Sequence, residues 1–326
     1  MKNIAVIMGG YSKESSISLK SGNTVYKNLC NKQFHSYCVY IFKDEWFMKD
    51  ENNTKYPINK KDFSVNMENK SLKFDCIFNA IHGTPGEDGM LQAYFDLLNI
   101  PYTGCNFYQS NITFNKKYCL NILRHFGINT AKSVFLNKNQ KINKKIILDK
   151  IGFPCFVKPN KSGSSLGVSK VFVEKNLNNA MDEAFKEDEE IIIQSFLKGK
   201  EVSVGVLKFK NEILVLPITE IISQNEFFDF ESKYSGKSKE ITPSKLAYHL
   251  ENKIKYIAKK VYRIFNLSGI TRSEYIIVNG KPYFLEINTI PGLSEDSIVP
   301  KQFKIAGISL SDVFCDEINR SIEQKT

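Results

Sequence analysis

The chain has 326 residues, of which 42% are hydrophobic and 25% charged, which predicts two or three globular domains and excludes disorder over most of its length. No apolar run approaches the roughly 18 residues of a transmembrane helix, and the N-terminal apolar run is too short for a secretory signal, so we expect a cytoplasmic protein that does not bind membranes. The formal charge of +10 would suit a nucleic-acid binder, but the lysines are scattered along the chain, which argues against that class.

The first hundred residues alternate between strand and helix patterns. In chain order we predict a strand at 3–8, a helix at 16–30, strands at 36–42 and 74–81, a helix at 90–98 and a short strand at 100–104. Residues 43–73 are polar and poorly patterned, and we expect a variable excursion there. The alternation predicts a parallel α/β sheet.

Strands become more frequent beyond residue 104. We predict a helix at 115–126, strands at 132–136 and 153–158 with a helix between them, a strand at 168–173, a helix at 175–187, strands at 189–195, 201–208 and 212–217, a helix at 247–265, strands at 270–278 and 281–287, and a helix at 309–323. Asn279-Gly280 indicates a two-residue hairpin turn, and 223–246 reads as a long loop. Seven separated cysteines without a CxxC pair indicate free thiols and argue against a zinc site.

The stretch KPNKSGSSLGVSKV (158–171) is the first candidate for chemistry. Lys158 ends a strand, and a loop of small residues (162–167) precedes the next strand. Small residues let backbone N–H groups approach an anion closely, which suits a phosphate. The alternative interpretation is a flexible hairpin tip.

The stretch LEINTIPGLSEDS (285–297) is the second. Glu286 and Asn288 alternate on a strand, so they share one face, and Glu274 on the preceding strand supplies a third oxygen. Oxygen ligands of this kind suit Mg²⁺. Arg272 would share the face of Glu274. The alternative is an ordinary amphipathic hairpin with exposed acids.

Two glycine-containing turns follow N-terminal strands. In NAIHGTPGEDG (79–89), His82 ends a buried strand, where open α/β sheets bind ligands, although a structural histidine is the alternative. In GGYSKESSIS (9–18), Glu14 lies at the start of a helix. The full dinucleotide fingerprint G-x-G-x-x-G is absent there.

These motifs, together with FDFESKY (228–234), occur in the order typical of one enzyme family. Over nearly its whole length the chain resembles the D-alanine–D-alanine ligases of the ATP-grasp superfamily. The resemblance implies an α/β fold of three domains: an N-terminal α/β domain (1–104), a central domain (105–193) and a C-terminal domain (194–326) that carries a lid loop (223–246). ATP would lie between the antiparallel sheets of the last two domains.

The resemblance also implies a reaction. The family uses ATP to convert one D-alanine to an acyl phosphate, which the amine of a second D-alanine attacks, and the dipeptide serves peptidoglycan synthesis. The implied catalytic residues are Glu14, Ser164, Tyr234, Arg272 and Gly292. The substrate-binding residues are His82, Lys233 and Ser297. The ATP-binding residues are Lys116, Lys158, Gly163, Ser165, Gln194, Phe196, Leu197 and Glu201. Two Mg²⁺ or Mn²⁺ ions would be held by Glu274, Glu286 and Asn288.

Within this pattern Glu274 replaces the usual Asp, and Gln194 replaces an acid that commonly accepts the adenine amino group. Tyr234 implies D-alanine rather than D-lactate as the second substrate. A homodimer is the family expectation, and no nucleic-acid partner is expected. The alternatives left open are an ATP-grasp ligase with another acceptor, a basic nucleic-acid binder and a catalytically inactive ATP-binding module.

Overall fold

A computed structural model describes residues 1–29, 33–67, 70–140, 144–223 and 238–325. These residues form three β-sheets with helices packed against them. No helix within those ranges is both long and apolar enough to cross a membrane. The predicted α/β class with three sheet-containing regions is confirmed.

The N-terminal sheet has seven strands in the order β6-β5-β4-β3-β2-β1-β7. They are β1 (Lys2–Gly9), β2 (Phe34–Ile41), β3 (Trp46–Lys49), β4 (Lys55–Asn59), β5 (Ser64–Met67), β6 (Lys70–Leu72) and β7 (Cys76–Asn79). Helices α1 (Ser15–Asn28) and α2 (Met90–Leu97) follow β1 and β7 along the chain. Because β1 is fully apolar and buried from Ile4 to Met8, it forms the centre of the parallel part of this sheet, between β2 and β7.

The remaining strands of this sheet are antiparallel, so it is mixed rather than wholly parallel. We predicted no strand within 43–73, but β3 to β6 lie there. The strands there are short, and each buries only a few side chains, such as Met48, Val65 and Leu72. Four strands of three to five residues separated by polar turns give too weak an alternation to be recognised.

The central sheet is wholly antiparallel, in the order β10-β9-β11-β8. Its strands are β8 (Ser133–Asn137), β9 (Cys155–Pro159), β10 (Ser169–Val171) and β11 (Glu190–Ser195). The helices of this region are α3 (Phe107–Phe114), α4 (Lys116–His125), α5 (Lys144–Lys150) and α6 (Leu177–Ala184), the last preceded by a 3₁₀ turn at Glu174–Asn176. The predicted elements are confirmed here, and α3 was not predicted.

The C-terminal sheet follows the order β15-β14-β12-β16-β17, with β13 paired to β12. Its strands are β12 (Lys200–Phe209), β13 (Glu212–Val215), β14 (Thr219–Ser223), β15 (Ser238–Ile241), β16 (Thr271–Val278) and β17 (Lys281–Asn288). It is flanked by α7 (Tyr248–Ile264), α8 (Ile298–Ile305) and α9 (Leu310–Glu323). Asn279 and Gly280 have φ values of 48° and 72°, which confirms the predicted two-residue hairpin. Strand β14 ends at the first residue of the predicted loop 223–246, and β15 lies within that loop.

Helix α9 joins the C-terminal region to the first sheet. Phe314 of α9 packs edge-on against Phe78 of β7, with ring centroids 5.1 Å apart. Val313 and Ile318 are fully buried in the same cluster as Ile4. The N-terminal sheet is thereby fixed to the region that carries the β16–β17 hairpin. The six cysteines within the described ranges are free thiols, as expected.

Candidate active site

A cavity of about 210 Å³ lies between the central and C-terminal sheets. Strands β9 and β11 supply one wall, and β16 and β17 supply the other. The predicted nucleotide-binding residues that line it are Lys116, Lys158, Ser165, Gln194, Phe196, Leu197 and Glu201. Glu274 and Glu286 also reach this cavity. Side chains separated by up to 170 positions in the sequence thus meet at one place.

Gly163 is the predicted nucleotide-binding residue that does not line this cavity. It packs against Glu14 instead: a Cβ at position 163 would lie 2.6 Å from Glu14 Oε2. Only glycine allows the loop to approach the carboxylate this closely.

Two lysines, Lys116 and Lys158, line this cavity. Lys116 is the first residue of α4, whose N-cap residue Asn115 accepts a hydrogen bond from Tyr118 N. Lys116 Nζ donates to the backbone oxygen of Ser162 at 2.6 Å. Lys158 Nζ donates to Gln194 Oε1 at 3.1 Å, so the oxygen of that amide faces the lysine. Two cations beside a loop of small residues suit an anionic ligand such as a phosphate chain.

A second cavity, of about 430 Å³, opens at the carboxyl ends of β1 and β7. Eight predicted residues line it, namely Glu14, His82, Ser164, Arg272, Glu286, Asn288, Gly292 and Ser297. Glu286 lines both cavities and therefore marks where they adjoin. A ligand bound in one cavity would lie next to a ligand bound in the other.

Glu14 and Ser164 connect the first helix to the loop of small residues at 162–167. Glu14 is the N-cap residue of α1 and is buried, and Ser164 Oγ donates a hydrogen bond to its Oε1. Ser164 and Ser165 both have positive φ values, 47° and 58°, which non-glycine residues adopt at some energetic cost. The loop is thus held in a strained conformation beside Glu14.

Glu87 lies in the same cavity and was not predicted as a site residue. Its Oε2 accepts a hydrogen bond from Gly83 N at 3.1 Å. Burial, and secondarily the charge of Glu14, raise the pKa of Glu87 to about 8. Glu87 therefore holds its proton to a higher pH than an exposed carboxyl does.

The β16–β17 hairpin places four polar side chains on one face. Arg272 pairs with Asn288, and Glu274 pairs with Glu286, in the antiparallel register. Arg272 Nη2 lies 2.9 Å from Glu274 Oε1, and the Glu274 side chain is only 1% exposed. The predicted metal-ligand set is thus brought together on one strand pair.

This donor set suits Mg²⁺ or Mn²⁺. Two carboxylates and one amide oxygen are hard ligands, and within the described ranges Asn288 Nδ2 has no hydrogen-bond partner that would fix the amide through its nitrogen. No cluster of three His, Cys, Asp or Glu side chains capable of holding a metal was found in those ranges.

His82 is buried, and both of its ring nitrogens contact protein atoms. Nδ1 lies 2.8 Å from the backbone oxygen of Ile290, and Nε2 lies 3.0 Å from Ser21 Oγ. Burial lowers the pKa of His82 to about 4, and Arg272 contributes in the same direction. The imidazole is neutral and forms part of the cavity wall.

Gly292 and Ser297 lie next to each other at the end of β17. A Cβ on residue 292 would lie 2.8 Å from Ser297 Oγ, which itself hydrogen-bonds to Ser294 Oγ at 2.7 Å. A side chain at 292 would therefore displace the serine. Lys233 and Tyr234, and the centre of the predicted lid, fall outside the described residues.

Two family models match the chain: the D-ala D-ala ligase N-terminus over residues 3–105, and the D-ala D-ala ligase C-terminus over residues 122–318. The D-alanine--D-alanine ligase of Flavobacterium johnsoniae is 54% identical, over 99% of this chain and 100% of its own length. The crystal structure of the VanG D-Ala:D-Ser ligase from Enterococcus faecalis is 30% identical with a TM-score of 0.86, covering 98% of this chain and 99% of that one. That of the Bacillus anthracis D-alanine--D-alanine ligase complexed with ATP is 29% identical with a TM-score of 0.79, covering 100% and 99%. The chain belongs to the D-alanine–D-alanine ligase family.

Proposed function

We propose that this chain joins two molecules of D-alanine at the expense of ATP, releasing D-alanyl-D-alanine, ADP and phosphate. The observation that carries the proposal is the pair of adjoining cavities, one with two lysine ammonium groups and the other with Glu14, Arg272 and Ser297, with Glu286 lining both. Family membership agrees with it. The dipeptide would serve peptidoglycan synthesis.

ATP would occupy the first cavity. Lys116 and Lys158 would neutralise its phosphates, Gln194, Phe196 and Leu197 would face the adenine, and Glu201 would bind the ribose. Gly163 and Ser165 would place the backbone of the loop beside the phosphates. Phosphoryl transfer depends on positioning and charge neutralisation, which this set can provide without a covalent nucleophile.

Glu274, Glu286 and Asn288 would hold two Mg²⁺ or Mn²⁺ ions against the phosphates. When bound, the ions would neutralise charge that develops on the transferred phosphoryl group. The extra methylene of Glu274 lengthens its reach, and its ion pair with Arg272 ties the metal site to the site of acyl transfer.

The second cavity would bind the two D-alanine molecules. The carboxylate of Glu14 would accept the ammonium group of the first. A carboxylate oxygen of this first D-alanine attacks the γ-phosphorus of ATP, giving an acyl phosphate and ADP. The amine of the second D-alanine then attacks the acyl carbon, and phosphate leaves.

Arg272 and the backbone N–H of Gly292 would stabilise the oxyanion of the tetrahedral intermediate. Ser297 and Lys233 would bind the carboxylate of the second D-alanine, and Tyr234 would join the hydrogen bond between Glu14 and Ser164. An acyl phosphate is lost to hydrolysis if water reaches it, which gives a lid at 223–246 a physical purpose.

At the level of the whole chain we propose domains at 1–104, 105–193 and 194–326, a cytoplasmic location and a homodimer. Large apolar side chains that are exposed on α2 and α3, such as Leu97 and Tyr108, support an interface between copies. Light scattering coupled to gel filtration gives the oligomeric state directly.

The test of the function is phosphate release from Mg-ATP with D-alanine present or absent. We expect release only with D-alanine, together with a dipeptide product, and none with L-alanine. D-serine and D-lactate serve as alternative acceptors in the same assay. ATP binding without D-alanine-dependent release would leave the nucleotide site in place and overturn the substrate assignment.

A further inference from the structure

Three buried hydrogen bonds in series connect α1 to the turn after β17. Leu293 N lies 3.1 Å from Ser21 Oγ, Ser21 Oγ lies 3.0 Å from His82 Nε2, and His82 Nδ1 lies 2.8 Å from the backbone oxygen of Ile290. Ser21 is 0% exposed and Leu293 only 3%. This series of hydrogen bonds begins and ends on the same turn, 290–293, and Gly292 lies between Ile290 and Leu293, the two residues of the turn that it holds.

Chemistry fixes the direction of every bond. A carbonyl oxygen can only accept, so Nδ1 of His82 carries a proton. In a neutral imidazole Nε2 must then accept, so the Ser21 hydroxyl donates to it. The Leu293 N–H can only donate, and the Ser21 oxygen accepts it. Burial holds the pKa of His82 near 4, so this arrangement is stable around neutral pH.

We propose that Ser21 is a positioning residue for acyl transfer: through His82 and Leu293 it fixes the turn 290–293 so that the Gly292 N–H stays aimed at the developing oxyanion. The inference rests on the proposed function. It also assigns His82 an indirect role, since neither ring nitrogen is left for a substrate. Oxyanion donors act within a few tenths of an ångström, so a small displacement of this turn reduces the rate.

The decisive variant is Ser21→Ala, and the chain offers a matched control in Ser18→Ala. Ser18 lies on the same helix, is also 0% exposed and also makes two hydrogen bonds, accepting from Gly9 N at 3.0 Å and donating to Ala80 O at 2.8 Å. Both of its partners belong to the N-terminal sheet and its loops. The two variants therefore remove equivalent buried hydroxyls, but only Ser21→Ala releases the turn.

In steady-state kinetics we expect Ser21→Ala to lower kcat about 10- to 100-fold while the KM for ATP changes less than about two-fold, since a single oxyanion donor is worth about 100- to 1000-fold. Ser18→Ala should lose comparable thermal stability and keep kcat within about two-fold. A phosphinate analogue of the dipeptide, which mimics the tetrahedral intermediate, should bind Ser21→Ala more weakly in proportion to the loss of kcat. If kcat of Ser21→Ala matches that of Ser18→Ala, Ser21 does not position the turn.

Hydrogen exchange followed by mass spectrometry separates this inference from the proposed function, because it needs no turnover. Peptides covering 289–296 should lose protection in Ser21→Ala and keep it in Ser18→Ala. Unchanged protection would overturn the inference even if D-alanine supports phosphate release. Loss of protection in an enzyme that does not respond to D-alanine would keep the inference about the turn and reject the substrate.

Discussion

Arg272 lies on β16, on the same face as Glu274, and lines the second cavity, and its guanidinium pairs with the buried carboxylate of Glu274 at 2.9 Å. We predict that Arg272→Ala lowers kcat by at least about 100-fold, the size of effect seen when an oxyanion donor is lost. ATP should still bind, since Arg272 does not line the nucleotide cavity. Kinetics and calorimetric ATP titration check both parts.

Arg272→Lys is the matched variant for this experiment. It keeps a positive charge for Glu274 but lacks the planar fork, so we expect intermediate activity. Near-normal turnover in Arg272→Ala would remove this residue from the oxyanion site.

Glu317 on α9 is a buried acid that is not among the proposed metal ligands. Burial raises the pKa of its carboxyl from 4.5 to about 7, although Arg320 opposes the shift. Between these values the folded state holds more protons than the unfolded state, so the free energy of unfolding falls as pH rises from about 4.5 through 7. The full effect is roughly 3 kcal/mol at about 1.4 kcal/mol per pKa unit.

We predict that Glu317→Gln removes this part of the pH dependence, because an amide cannot lose the proton. Urea unfolding of both proteins at pH 5 and pH 8 measures it. Taking the difference between the two proteins cancels the parallel trend from Glu87. Equal pH dependence in both would show that Glu317 is ionised in the folded protein.

The site residues that could be predicted from sequence lie in short motifs whose spacing carries the information. Glu286 and Asn288 are an example, since alternation on one strand places them on one face, as observed. Ser21 and Glu87 could not be found this way. Ser21 contacts residues 61 and 272 positions away, and only the folded chain brings them together.

At the scale of elements, α3 shows why a helix without a clear apolar face escapes prediction. It has eight residues and leaves Phe107 and Tyr108 exposed, so its apolar face is poorly marked. Its start is fixed by a capping box: Asn106 Oδ1 accepts from Gln109 N at 2.9 Å, and Asn106 N donates to Gln109 Oε1 at 2.8 Å. Elements such as β1 and α7 could be predicted because a regular apolar pattern runs through them.

We predict that Asn106→Ala destabilises the protein by about 1 kcal/mol, the usual value of an N-cap side chain. Urea unfolding measures the loss. Asn121→Ala, on the exposed surface of α4, is the control and should cost less than about 0.5 kcal/mol. Equal effects of the two substitutions would mean that the capping box contributes nothing.

At the scale of the whole molecule, the three sheets meet around the two cavities, and side-chain contacts bridge the regions that we propose as domains. Ser164 Oγ donates to Glu14, and Lys13 Nζ lies 2.7 Å from Glu187 Oε1. The lysine is 65% exposed, so that ion pair contributes little to stability. The hydrogen bond to Glu14 contributes more, because its carboxylate is buried and a buried polar group that loses a partner is costly. The family resemblance indicated Glu14 and Ser164 as catalytic residues, but only the fold shows that the loop and the helix meet directly.

The contact between Ser164 and Glu14 provides the last prediction. Ser164→Ala should lower kcat/KM for D-alanine about ten-fold, because Glu14 loses a donor that orients it and the strained loop 162–167 loses an anchor. The free energy of unfolding should change by less than about 1 kcal/mol, since Ser164 is only half-buried. Lys161→Ala is the control: this residue lies just before the loop, is exposed and is paired with Asp188 at 3.6 Å, outside both cavities. It should leave kcat/KM within about two-fold. If Ser164→Ala acts no more strongly than Lys161→Ala, Glu14 keeps its orientation without the serine.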